Sequence, residues 1–320
     1  MGCGSDAPAA NDSSSAGSGG VAASGGQANG SGGASLGGDG GGSGGDSPVP
    51  PTPQPSSGCG KAGPIVGART VTLPVADGAF IVSLPASYDP NAPLPLGFAF
   101  HGHGRTHAQC QTGDCAGFQS VMKDDAILVY MKSVDAGWEG TDGENGGIRE
   151  RNVAFFEKVL DLVEDEYCVD ERRVFVAGTS SGAHFTNILA CRFGDRLLAA
   201  APVAGYLPEQ DNCVGQVAAL PIHGIDDDEV VLSSGEEARD FYIEQNGCSS
   251  TAVPTVESIH AQIRASRDAA QTDVACVDYQ GCDQGVPVRW CEHSQGGYDN
   301  STHGWPTAGG QLIWDFVKTL

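Results

Sequence analysis

"VFVAGTSSGAHFTN", Val174–Asn187, runs from an apolar stretch through two serines set between glycines into a stretch of helical character. The pattern G-x-S-x-G that it contains also occurs around Ser35 and Ser43, so the pattern alone decides nothing. Context separates the three. Ser35 and Ser43 lie in glycine tracts with no strand-like run before them and no helix-like run after. Ser180 follows the strand-like "RVFVA" (Arg173–Ala177) and opens a helix expected to reach about Arg192. A serine between strand and helix has the geometry of a nucleophile elbow, a tight and strained turn. Gly178 and Gly182 let strand and helix approach closely there. Ser180 is then the candidate nucleophile at the carboxyl end of a sheet. Ser181 turns into the helix and offers its backbone N–H.

Working outward, "AFIVSLP" (Ala79–Pro85), "LPLGFAF" (Leu94–Phe100), "AILVY" (Ala126–Tyr130), "AAAPVA" (Ala199–Ala204) and "ALPIH" (Ala219–His223) read as strands. The short, wholly apolar ones belong in a sheet covered on both faces. "NVAFFEKVLDLVEDEYC" is amphipathic: Val153, Phe156, Leu160, Val163 and Tyr167 recur at three/four spacing, and Asn152 is placed to cap it. Further helices are expected near Glu236–Gln245 and Gln311–Leu320, with a cysteine-rich irregular region between them. Strands alternating with helices predict an α/β fold whose central sheet is mostly parallel.

A serine hydroxyl is a weak nucleophile and needs a base held by a third group. "GIDDDEVV" places Asp226, Asp227, Asp228 and Glu229 after a strand, at the same edge of the sheet as Ser180. "STHGWP" places His303 before the last helix. Serine, then acid, then histidine is the chain order of α/β-hydrolases, unlike that of chymotrypsin or subtilisin. Acyl transfer also needs N–H groups for the tetrahedral oxyanion. The turn "HGHG" (His101–Gly104) follows a strand and can supply His103 N–H opposite Ser181 N–H.

The first 58 residues cannot join a core. They hold 18 of the 47 glycines and four acids (Asp6, Asp12, Asp39, Asp46), with no aromatic residue and no Lys or Arg. Such a stretch buries too little apolar surface to offset its ordering entropy, and a disordered tether is expected over residues 1–58. Residues 59–320 fit one α/β domain. Of the net charge of −23, the four tail acids leave about −19 on that domain. A field of that sign repels nucleic acid and anionic polymers and favours solubility and neutral substrates. No run is long and apolar enough to span a membrane.

Eleven cysteines, with no C-x-x-C pair or Cys/His ligand spacing, suggest disulfides formed in an oxidising compartment. Cys3, in "MGCGSD", precedes the long tether and resembles the lipid-modified cysteine at the processed start of a bacterial lipoprotein. N-myristoylation is the weaker reading of "MG", because position 6 is Asp rather than Ser or Thr. Setting Cys3 aside leaves ten cysteines for five bridges. Export is expected, secreted or lipid-anchored at the bacterial cell surface, with membrane contact only through that anchor.

The elements "HGHG", "YCVDERRVFVAGTSSG", "HGIDD", "HGWP" and "IWDF" together resemble carbohydrate esterase family 1. That family includes feruloyl esterases and polyhydroxybutyrate depolymerase-like lipoproteins. The likeness runs over nearly all of residues 59–320. It implies an α/β-hydrolase fold, a serine carboxylic ester hydrolase without a cofactor, and Asp227 as the acid, the third residue after Gly224. It departs at Ile225, where the family has threonine, and at Tyr298, where some feruloyl esterases carry a histidine. His303 is therefore the expected base and His293 the second choice. Implied substrates are feruloyl or acetyl esters of plant polysaccharide, polyhydroxyalkanoates or aromatic polyesters, acted on by a monomer. A non-catalytic surface binding protein on the same fold is the alternative.

His101, His103 and His107 are close in sequence but sit on a glycine turn, so no metal is expected there. Trp138 and Trp305 are candidate pocket-lining residues, core packing being the other possibility. A bridge between Cys168 and Cys191 would brace the elbow. One between Cys110 and Cys115 would close a short loop after the oxyanion turn.

Overall fold

The computed structural model describes residues 52–320 apart from 62, 64, 73–77, 116, 135–136, 140–146, 257–273 and 295–301. Cys3, Ser35, Ser43, nearly all of the expected tether and Tyr298 lie outside the described residues.

Strands β1 (Gly67–Val71), β2 (Gly78–Ser83), β3 (Leu94–Phe100), β4 (Ile127–Met131) and β5 (Val169–Thr179) are followed by β6 (Ala199–Val203), β7 (Ala218–Ala219) and β8 (Ile222–Gly224). Strands β9 (Ala252–Val256), β10 (Val274–Tyr279) and β11 (Arg289–His293) complete one sheet ordered β1-β2-β4-β3-β5-β6-β8-β11-β10-β9, with β7 beside β6. From β4 to β11 the pairing is parallel; β1, β2, β10 and β9 add antiparallel edges. The fold is the expected α/β-hydrolase architecture. Its cysteine-rich region is more regular than composition suggests, because β9, β10 and β11 pair there.

The strands alternate with period two between two cores. Leu96, Phe98 and Phe100 of β3, Ile127 and Val129 of β4, and Val174 and Val176 of β5 face one core. Ala99, Leu128, Tyr130, Phe175 and Ala177 face the other. Helix α1 (His107–Gln109) is a single turn, and α2 (Phe118–Met122) is short. Helix α3 (Gly147–Glu166) covers the first core through Phe155, Phe156, Val159, Leu160 and Val163, as does α4 (Ser181–Arg192) through Phe185, Ile188 and Leu189. The first core also takes Tyr242 from α5 (Leu232–Gln245). Helix α6 (Gly309–Lys318) and α2 close the second core with Ile313, Trp314, Phe118 and Met122.

Asn152 is not a cap. Helix α3 starts five residues earlier, and the fully buried Asn152 holds the loop after β4. Its Oδ1 accepts from Val134 N at 2.9 Å, and its Nδ2 donates to Gly137 O at 3.2 Å and Trp138 O at 3.3 Å.

Packing also begins before Cys59. Gln54 N donates to Asp170 Oδ1 at 2.9 Å, Ser56 N to Val169 O at 2.9 Å, and Ser56 Oγ to Tyr167 O at 2.7 Å. Those bonds carry Cys59 to Cys168, which form a bridge, so the expected Cys168–Cys191 pair does not occur. Cys191 joins Cys213, whose neighbour Val214 donates its N–H to Cys191 O at 2.7 Å. Cys110–Cys115 forms as expected, with Cys248–Cys282 and Cys276–Cys291 making five bridges. Cys59–Cys168 spans 109 residues of sequence, and in the chain-entropy account such a loop contributes about 4–5 kcal/mol.

Candidate active site

Three loops meet at the carboxyl edge of the sheet. Because β3 and β5 pair directly, with Phe100 opposite Gly178, the turns that follow them are neighbours. Ser180 adopts φ 54° and ψ −123°, a conformation that a non-glycine residue holds only under constraint from its surroundings. The constraint is visible. Ser180 N donates to Val203 O at 2.9 Å, and Ser180 O accepts from Ala183 N at 2.8 Å and His184 N at 3.0 Å. A Cβ on Gly178 would run into Gly182 O, and one on Gly182 into Phe100 O, so both glycines are required by contact with backbone. Gly182→Ala is expected to cost about 3 kcal/mol through overpacking against backbone that cannot yield, measured by urea unfolding.

His103 and Ser181 flank this turn. Among the described residues neither of their backbone N–H groups has a protein partner, as an oxyanion site requires. A Cβ placed on Gly102 would lie 3.6 Å from Ser180 Cβ, which measures how close the two turns come.

The acid and base candidates are brought together by β8 and the loop before α6. His303 Nδ1 lies 2.9 Å from each oxygen of Asp227. Asp227 Oδ1 also accepts from Glu229 N at 3.0 Å and Val230 N at 2.9 Å. The loops can approach this closely because residue 224 is glycine; a Cβ there would collide with Thr302. Asp226 N fixes the same contact by donating to Thr302 Oγ1 at 2.9 Å. Of the four neighbouring acids, Asp227 is the one that is buried and paired to His303.

Burial works against the Asp227 charge, but hydrogen bonds from His223, His303 and Val230 N–H outweigh it and hold the carboxyl well below its usual range. Burial likewise lowers the His303 pKa, and the Asp227 carboxylate, with Glu229 and Asp228 nearby, more than restores it to above the ordinary imidazole value. As a candidate base His303 must be neutral to work, so on that role activity is expected to fall as pH drops through its raised pKa. The acidic limb of kcat/KM should have its midpoint above about 6.5, read from a pH–rate profile.

Ser180 and His303 line a common cleft of about 230 Å³ with Gly102 and His103, and Arg105, Thr179 and Glu229 complete its wall. A larger cavity of about 540 Å³ opens at the amino ends of the strands, beside Gln54, Glu171, Arg196 and Leu197. It contains none of the candidate chemical groups, so chemistry favours the smaller cleft.

Other candidates fall elsewhere. Trp138 is fully buried, stacks on Phe185 with centroids 4.9 Å apart, and donates from Nε1 to His101 O at 2.8 Å. It belongs to the core beneath the His101–Gly104 turn and not to a substrate pocket. Trp305 is also nine-tenths buried, packed in the second core. His293 is buried at the end of β11, where its carbonyl accepts from Ile225 N at 2.9 Å, and the Asp227 carboxylate pairs with His303 instead. His101 has both ring nitrogens engaged, Nδ1 at 2.8 Å from Gly102 O and Nε2 accepting from Ser133 N at 3.3 Å. Among the described residues no group of three metal-ligating side chains converges. Sequence reasoning missed His223, whose Nε2 lies 2.7 Å from Val230 O and 3.4 Å from Asp227 Oδ2 and so steadies the acid loop. It stands in "HGIDD", so the motif contained it.

A family model named Esterase, described as "Putative esterase", matches residues 76–305. Feruloyl esterase D of Neurospora crassa is 29% identical over 254 residues, covering 75% of this chain and 81% of that protein. Feruloyl esterase C of Emericella nidulans is 29% identical over 217 residues, covering 65% and 77%. Among solved structures, the acetyl xylan esterase from Aspergillus awamori superposes with a TM-score of 0.58 at 12% identity, covering 79% of this chain and all of that one. A thermostable esterase gives 0.51 at 18% identity, covering 78% and 60%. These two likenesses bear on the fold alone.

Proposed function

The chain belongs to this esterase family and is a carboxylic ester hydrolase, and from that premise we propose that it works through an acyl-enzyme on Ser180. His303 Nε2 takes the Ser180 proton while Oγ attacks the ester carbonyl carbon, and the oxyanion is held by the N–H groups of His103 and Ser181. Collapse expels the alcohol, which leaves with the proton carried by His303. Water, deprotonated by the same imidazole, then attacks the acyl-serine and frees the acid. Asp227 keeps the His303 Nδ1–H tautomer in place and stabilises the imidazolium.

The observation that carries this reading is the buried Asp227–His303 pair opening onto the cleft that holds the strained Ser180. The substrates we assign are feruloyl-type esters, supported by the feruloyl esterases among the relatives. Five disulfides support a place outside the cytoplasm, and we propose that the protein is exported and tethered through a lipid on Cys3. Hydrolysis of methyl ferulate, short p-nitrophenyl esters and a polyhydroxyalkanoate film, by wild type and Ser180→Ala, tests the reading. Turnover of methyl ferulate by the wild type alone supports it. Turnover of the film but not of methyl ferulate would reassign the substrate, and wild-type activity no higher than the variant's on all three would refute the mechanism.

A further inference from the structure

Thr179 stands between Gly178 and the candidate nucleophile, and the steps above give its side chain no task. The residue is 4% exposed, and its Oγ1 is buried with no hydrogen-bond partner among the described residues. A hydroxyl left so costs free energy that a methyl group in its place would not, which points to a partner from outside the chain.

Its place in the fold says which partner. Side chains of β5 alternate, and Phe175 and Ala177 face the core closed by α6, so Thr179 continues that face. The loop that carries His303 lies over the same core, with Trp305 packed into it. Thr179 and His303 both line the cleft of about 230 Å³ around Ser180, and among the described residues Thr179 and Ser180 are its two hydroxyl side chains. The methyl of Thr179 meets the turn after β3: a Cβ placed on Gly102 would lie 3.6 Å from Thr179 Cγ2 and 3.6 Å from Ser180 Cβ.

Deacylation needs a water held against the acyl carbon on the His303 side. One hydrogen of that water goes to His303 Nε2. With the second accepted by a hydroxyl oxygen, both hydrogens point away from the acyl-serine and a lone pair faces its carbonyl carbon. We propose that Thr179 Oγ1, together with His303 Nε2, holds the water that hydrolyses the acyl-enzyme. This rests on the acyl-enzyme reading of Ser180. As the water attacks, its proton passes to His303 and its oxygen bonds to the acyl carbon. The bond from that carbon to Ser180 Oγ then breaks, and Oγ takes the proton back. Thr179 exchanges no proton and acts only in this half of the cycle, because the alcohol leaves before the water enters.

Methanol separates this role from a structural one. Its O–H can serve His303, but it has no second hydrogen for Thr179, so acyl transfer to methanol does not need the Thr179 hydroxyl. The test supplies p-nitrophenyl butyrate in buffer containing methanol and measures the ratio of methyl ester to free acid. Thr179→Val and Thr179→Ala remove the hydroxyl without removing a protein hydrogen bond, and a thermal melt checks that each is folded. The ratio should rise roughly tenfold, the size expected of one lost hydrogen bond. In the absence of methanol kcat should fall while kcat/KM, which reports acylation, stays nearly constant. Thr179→Ser, which restores the hydroxyl, should return the ratio to the wild-type value. A ratio unchanged in either folded variant, or raised equally in Thr179→Ser, overturns the assignment and leaves the acyl-enzyme reading standing. Ester hydrolysis by Ser180→Ala at the wild-type rate overturns that reading and the water site with it.

Discussion

Ser180→Ala is expected to lower kcat on methyl ferulate by on the order of 10⁵-fold, with little change in melting temperature. The size follows from what the substitution removes. No covalent intermediate can form, His303 has no proton to take, and the strained backbone at φ 54° then orients a methyl group. What survives is electrostatic: the His103 and Ser181 N–H groups still stabilise an oxyanion formed by direct attack of water. Ser181→Ala is the matched comparison. Its Oγ is buried inside the helix start and its contribution is the backbone N–H, so activity should stay within about tenfold of wild type. Equal losses in the two variants would mean that the serines do not divide the work as described.

Asp227→Asn should cost about 10⁴-fold in kcat at neutral pH while leaving the loop in place. The carboxylate accepts from His303 Nδ1 at 2.9 Å, which leaves Nε2 free to take the serine proton. An amide in its place can turn its NH₂ toward Nδ1 and favour the opposite tautomer, with Nε2 already protonated and useless as a base. Asp227 Oδ1 also receives the Glu229 and Val230 N–H groups, which an Asn carbonyl oxygen can still accept. Stability should therefore fall much less than activity, measured by thermal unfolding beside steady-state kinetics. Asp226→Asn and Asp228→Asn, at exposed carboxylates outside the His303 pair, should keep most of the activity.

The parts of the site legible in the sequence are those set by local geometry. An elbow needs strand, small residue, serine, small residue and helix in sequence, so Ser180 could be told from Ser35 and Ser43 by its flanks alone. Asp227 and His303 stand 76 residues apart, and their pairing depends on close contact between two loops at Gly224 and Thr302. Composition could offer four acids for that role, and family resemblance chose among them. Helical periodicity placed the buried face of α3 but mistook Asn152 for a cap, because a buried side-chain amide in mid-helix leaves no local trace. Trp138 was ambiguous for a similar reason: an indole beneath the oxyanion turn and one beside the cleft have the same sequence neighbours. The strands after α5 escaped notice because β9, β10 and β11 pair across gaps of sequence rather than through tight hairpins. The Cys59–Cys168 bridge was hidden for the opposite reason. Pro and Ser near residue 55 read as tether, yet Gln54 and Ser56 find backbone partners along β5.

All of this turns on one hydroxyl. Labelling with a fluorophosphonate, which phosphonylates an activated serine, followed by peptide mass spectrometry, asks directly which hydroxyl is the nucleophile. A single adduct on Ser180 is expected, formed at a rate that rises with pH through the His303 pKa and is nearly abolished by His303→Ala. Full esterase activity with no adduct, or an adduct on Ser181 in place of Ser180, would contradict it.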